Sequence, residues 1–199
     1  MTDSPRPEVA DGQPFAGDVV AVVDESVHEA GGGVYYVVGA AVVVDPTRVT
    51  AELRALITER SNVVHWAREG PAMRTRMLDV LCESAVAASV QWSATGRRGQ
   101  IETRARLLTE IATWVYGEGA DHLVIESSDT TMNRRDRQTL ARHPMATEGG
   151  LVFRYDHRSK QEPLLWLADT VASAVGEHLI GKGSGAYERL VEARLLPPL

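Results

Sequence analysis

Thiols, long apolar runs and surplus positive charge are all scarce in this chain of 199 residues. The one cysteine, Cys82, can form no internal disulfide and no cysteine-based zinc site. A reducing compartment, the cytoplasm, fits that usage, and Cys82 in its apolar pattern reads as core filler. No stretch approaches the roughly 20 apolar residues that span a bilayer. The opening MTDSPRPEVADGQPFAG carries acids, prolines and glycines where a signal peptide needs a basic start and an apolar middle. Residues 1–17 therefore read as a flexible tail before one domain over 18–199. The formal net charge of -6 excludes a surface coated in positive charge, though not a local basic patch. There is no Gly-x-Ser-x-Gly elbow, which sets a serine hydrolase aside. The glycines at 31–33 lack the Gly-Lys-Ser/Thr ending of a phosphate loop, and GKGSG at 181–185 follows a helix where such a loop follows a strand.

What the chain does contain is a 44% share of hydrophobic residues, enough for a sizeable core. Val-rich 18–24 reads as a buried strand, HEAGGG at 28–33 as a turn and VYYVVGAAVVV at 34–44 as a second strand, with Gly39 as its bend. Asp45-Pro46 opens a helix to about Glu59. A second helix follows Pro71, a strand runs over 89–95, and a third helix over 101–116. A short strand over 122–129 precedes a basic helix at 133–143. LVFRY at 151–155 is another strand, an apolar helix covers 163–179, and AYERLVEARLL closes the chain as a helix ended by Pro197. Strands alternating with helices predict an α/β fold, a mixed sheet flanked by helices.

Three acids sit where a core should be. Asp24 ends the first strand in VVAVVDESV, Glu126 ends HLVIE, and Asp169 interrupts LLWLADTVASAV. A buried carboxylate loses hydration and takes up a proton, and three together repel one another. A divalent cation relieves both problems, and oxygen ligands suit Mg²⁺ or Mn²⁺. Each acid also has a plain reading: a solvated strand end for Asp24 and Glu126, and for Asp169 either the cap of a neighbouring loop or an arginine partner.

Taken together, VVDESV, VYYVVGAAVVV, VVHW, VIESSD with Asn133 and Asp136, and RSKQEPLLWLAD resemble the bacterial domain-of-unknown-function family 3800. Asp24, Glu25 and Ser26 match its opening Asp-Glu-Ser, with Val27 where the family usually has Gly. His65 matches a histidine after the first helix, although Val63 and Val64 occupy a stretch where a Glu is common. Glu126 matches the middle acid, Ser159 the late serine and Asp169 the acid of the final helix. The resemblance implies a ribonuclease H-like fold and phosphodiester hydrolysis by two divalent cations, roughly 3.5–4 Å apart in such sites. Asp24 would bridge the ions, with Glu126 and Asp169 supporting one each. Glu25, Asp129 or Asp156 would supply a fourth carboxylate, Glu25 being disfavoured because strand alternation turns it to the opposite face.

His65 reads either as an ordinary histidine or as a proton shuttle. Ser159 and Lys160 read either as loop chemistry or as phosphate contacts. Arg97, Arg98, Arg104 and Arg106, then Arg134, Arg135, Arg137 and Arg142, could track a nucleic-acid backbone. Glu102, Glu110 and Asp136 could equally pair with them on a solvated helix face. The leading expectation is a metal-dependent nuclease. The alternative is a non-catalytic domain of the same fold that binds protein or nucleic acid, its acids paired with Arg154 or Arg158.

Overall fold

The computed structural model describes residues 19–57, 62–96, 99–120, 122–143 and 154–199. The expected tail over 1–17, Arg97 and Arg98, and residues 151–153 of the LVFRY segment lie outside the described residues.

Valine-rich β1 (Val19–Ala30) and β2 (Gly33–Val44) form one long antiparallel hairpin. Gly31 and Gly32, both at positive φ, make its two-residue turn; that conformation matches the twist of the strands and favours glycine. The first strand thus continues six residues past Asp24, which lies mid-strand and not at a strand end. β2 runs unbroken through Gly39, which pairs with Asp24. Gly39 is therefore no bend.

Asp45 caps α1 (Pro46–Arg54), accepting from the Arg48 N–H at 3.1 Å. This helix stops at Arg54, short of Glu59. A single 3₁₀ turn, Trp66–Arg68, leads to α2 (Pro71–Ser84), and β3 (Ala85–Thr95) follows at once, four residues earlier than its alternation suggests. After α3 (Gln100–Gly117), β4 is only His122–Glu126, because Asp129 belongs to the next helix, α4 (Thr130–Ala141). Within the described residues β5 is Arg154–Arg158, which continues three residues past the expected end at Tyr155. α5 (Leu165–Leu179) precedes α6 (Ala186–Glu192), which ends where Arg194 adopts positive φ, five residues before Pro197 is reached.

The five strands lie in the order β3-β2-β1-β4-β5. β1, β4 and β5 are parallel; β2 runs against β1 and against β3, so β3 points the same way as β1. Alternation along β1 divides two cores. Val20 and Val22 face a cluster built with α1, α2, α5 and α6, while Ala21 and Val23 face Leu107, Leu108, Ile111 and Val115 of α3. Cys82, half-buried, packs against the first cluster as expected. α5 is buried on every side over residues 165–176, which explains its unbroken apolar pattern. No helix among the described residues is long and apolar enough to cross a membrane.

Candidate active site at the carboxyl ends of the parallel strands

The last β1–β4 pair is Val23 with Ile125. One step further along the parallel pair come Asp24 and Glu126, on the face that carries α5. Glu126 pairs in turn with Arg158 of β5, and Ser159 and Lys160 follow directly. Two acids and a lysine are thus delivered to one edge, where the parallel pairing of β1 with β4 ends and β4 and β5 reach their carboxyl ends, the side on which open α/β sheets bind ligands.

Asp169 arrives from α5, and Gly39 lets it come close. A Cβ at Gly39 would lie 2.6 Å from the Ala172 nitrogen and 2.8 Å from the Ala168 oxygen. Only the absence of a side chain lets the helix backbone rest on β2 directly beside Asp24. Asp169 is then fixed from the other side. Its Oδ2 accepts the Trp66 backbone N–H at 2.8 Å, and Ser173 Oγ donates to Oδ1 at 3.4 Å. His65 Nδ1 stands 3.3 Å from the same Oδ2, without the alignment of a formed hydrogen bond.

The three acids gather around one nitrogen. Lys160 Nζ donates to Asp24 Oδ2, and it lies 3.4 Å from Glu126 Oε2 and 3.6 Å from Asp169 Oδ1. Burial pushes the Asp24 carboxyl well above the ordinary carboxylate range. A hydrogen bond with Glu126 adds to this, Lys160 opposes it, and the charges of Glu126 and Asp169 raise it further. Burial would raise Asp169 too, but His65, Lys160 and the Trp66 N–H together hold it below that range. Burial works against the charge on Lys160, yet the three carboxylates keep its ammonium above the ordinary lysine value.

A separate polar group fills the opposite face. Glu25 meets Tyr36 and Arg104, and Arg104 grips Asp136 through two nitrogens at 3.0 and 2.8 Å. His157 Nε2 lies 3.3 Å from the same Asp136. Burial would raise Asp136, but His157 and Arg104 hold it below its ordinary range. Burial, then Asp136 and Asp24, push the Tyr36 hydroxyl up. A cavity of about 200 Å³ between the two groups is bordered by Asp24, Glu25, Arg104, Glu126, Ser127 and Ser128.

Asp24, Glu126 and Asp169 are therefore brought together, and no fourth carboxylate among the candidates joins them. Glu25 is turned away by strand alternation and spent on Arg104. Asp129 caps α4, accepting from the N–H groups of Thr131 and Met132 at 2.8 and 2.9 Å. Asp156 pairs with His122 at 2.8 Å and Arg158 at 3.8 Å. Ser26 Oγ bonds His28 Nε2 at 2.6 Å. Ser159 Oγ accepts the Gln161 N–H at 3.3 Å within its own loop. Of the two arginine clusters, Arg104 is buried structure and Arg106 pairs with Glu110 at 2.7 Å. Arg134 and Arg135 stand exposed on α4. Nor do the three acids take Arg154 or Arg158 as partner: Lys160 pairs with them, while Arg158 bonds Glu162 at 2.9 Å. The central place of Lys160 and the approach at Gly39 were not legible in the sequence; the Trp66 N–H is a contact of the kind expected if Asp169 capped a neighbouring loop, though which loop was not legible. Lys160 left one signal, its position directly before the Asp169 helix.

The arrangement compares with solved structures. Ribonuclease HII from Archaeoglobus fulgidus, seen in a complex with PCNA, superposes with a TM-score of 0.53 at 16% identity, covering 90% of this chain and 91% of that one. The chain has a ribonuclease H-like fold. Ribonuclease H2 from Pyrococcus horikoshii gives a TM-score of 0.47 at 19% identity, with 82% of this chain and 74% of that chain covered. No protein-family model and no curated protein matches the chain. The ribonuclease H-like fold thus rests on the three-dimensional likeness, and the resemblance to family 3800 on the short motifs alone.

Proposed function

We propose that this protein is a divalent-metal-dependent nuclease of the cytoplasm, a member of the bacterial family 3800 whose residues 18–199 form one catalytic domain. The carrying observation is the convergence of Asp24, Glu126 and Asp169, from two strands and a buried helix, around a single cation position. The likeness to ribonuclease HII supplies the fold, and these acids supply the chemistry.

Three carboxylates are hard oxygen donors of the kind Mg²⁺ and Mn²⁺ take. As the side chains stand, no three His, Cys, Asp or Glu residues among those described are set to hold an ion, and the Lys160 ammonium lies among the three acids. Burial first, then the hydrogen bond with Glu126 and the charges of Glu126 and Asp169, keep the Asp24 carboxyl above its ordinary range even with Lys160 beside it. The residues fit a divalent cation, and Asp24, Glu126 and Asp169 would hold it. Bound there, such an ion supplies polarisation of a phosphoryl oxygen and a water activated for attack.

The chain's own residues prepare the site. Trp66 and Ser173 orient Asp169. His65, half-exposed beside Asp169, is placed to carry a proton between the site and solvent. Arg134 and Arg135, on the helix that follows Glu126, face solvent where a phosphate backbone could run. Purified protein given DNA, RNA and hybrid substrates should cut at least one with Mg²⁺ or Mn²⁺, and Asp24→Asn and Asp169→Asn should abolish cutting while the fold persists.

One observation favours a second reading. Lys160 already neutralises part of the acidic charge, as a non-catalytic module would require. Such a module binds nucleic acid or protein unchanged by Mn²⁺ and cuts nothing.

A further inference from the structure

Only two of the 21 Lys and Arg residues are lysines, Lys160 and Lys182. Elsewhere the buried or half-buried acids of this fold are held by arginine: Asp136 by Arg104, Glu162 by Arg158 and Glu177 by Arg74. At Asp24, Glu126 and Asp169 the cation is an ammonium instead. The difference is chemical. A guanidinium binds a carboxylate through a rigid two-pronged fork, whereas an ammonium is a compact point charge on a flexible stem.

The contacts of Lys160 follow that distinction. Its main chain is fixed, because Trp166 Nε1 donates to the Lys160 carbonyl at 2.8 Å. Its side chain meets Asp24 closely but stands 3.4 and 3.6 Å from Glu126 and Asp169, beyond the usual 2.7–3.2 Å or so of a formed N–H···O bond. The ammonium therefore supplies one charge and one good contact to three carboxylates. The cavity of about 200 Å³ is bordered by two of these acids, Asp24 and Glu126.

We propose that Lys160 is a resident counter-cation which a divalent ion displaces from Asp24, Glu126 and Asp169, so that ion binding and release of the Lys160 amine are one event. The inference rests on the metal-holding reading of this site. Two positive charges replace one among the acids, and the freed amine moves on a stem whose main chain stays anchored. The apparent affinity for the ion is lowered by the share of molecules in which the ammonium holds the site.

Two measurements test this. Wild-type protein is titrated with Mn²⁺ by calorimetry, then acetylated with a limiting amine-reactive ester with and without saturating Mn²⁺. Peptide mass spectrometry reads Lys160 against Lys182, which is exposed in the loop after α5 and serves as internal standard. Acetylation of Lys160 should rise several-fold with Mn²⁺ while Lys182 is unchanged. Lys160→Met should bind Mn²⁺ about tenfold tighter, as expected when a competing state is removed. Equal or weaker binding by Lys160→Met, or unchanged labelling of Lys160 in wild type that demonstrably binds Mn²⁺, overturns the displacement and leaves the metal site standing. If Lys160→Met does not fold, the wild-type labelling decides. Absence of Mn²⁺ binding in both proteins overturns the metal site itself.

Discussion

Asp24 of β1 and Asp136 of α4 are both buried carboxyls, and their surroundings push them in opposite directions. Asp24 is raised by burial and by Glu126 and Asp169, so the folded chain keeps a proton that the unfolded chain has released. Stability then falls as pH rises from the ordinary carboxylate range through the raised value. Asp24→Asn removes the titrating group. The variant should be more stable than wild type at neutral pH in metal-free buffer, and the gain should vanish below about pH 4, as urea unfolding at the two pH values will read. Asp136 has the reverse sign. His157 and Arg104 keep it ionised, so its stabilisation is present at neutral pH and is lost as acidification carries it through its depressed value. Asp136→Asn should cost about 3 kcal/mol at neutral pH, since it leaves Arg104 buried with half its partners. That cost should shrink in acid, where wild type loses the same contact.

At the scale of elements, one glycine sets the distance between α5 and the sheet. Gly39→Ala places a methyl against main-chain atoms of Ala168 and Ala172, which cannot swing aside as a side chain would. The expected cost is about 1–3 kcal/mol, seen as a lowered denaturation midpoint. Because Asp169 lies beside Ala168, the same change should weaken Mn²⁺ binding more than an Ala substitution at a glycine remote from α5, such as Gly96. The order of strands and helices was legible in the sequence because valine alternation and apolar helical spacing are local signals. So was the candidacy of the three acids, which stand out against apolar neighbours. The ends of elements were less legible. β1 continues past Asp24 because β2 supplies hydrogen-bond partners as far as the Gly31–Gly32 turn, and Asp129 left β4 to cap α4. The meaning of Gly39 was hidden for a similar reason: its close contact is with a helix 130 residues further along.

Across the whole molecule, the sheet separates two buried polar groups that share the strand segment Asp24–Glu25. The α3 face holds a closed set of ion pairs, with Arg104 at its centre, that serves structure. The α5 face holds three acids gathered around one ammonium, that of Lys160. Strand alternation already set Glu25 below Asp24, but the burial of the Arg104–Asp136 pair beneath α3 was not legible, because the sequence placed both residues on solvated helix faces. Lys160 was legible as a residue near the site and a candidate phosphate contact, but not as the partner of the acids, since which acids it meets depends on β4, β5 and α5 arriving at one edge. An ion held only by the folded chain must stabilise it, by about 2.7 kcal/mol at a hundred times its Kd. The most direct test is calorimetric titration of the wild-type protein with Mn²⁺, alongside Asp169→Asn. Saturable binding by wild type that is lost or strongly weakened in the variant is the expected result; no binding by wild type, or equal binding by both, would contradict a metal site built on these carboxylates.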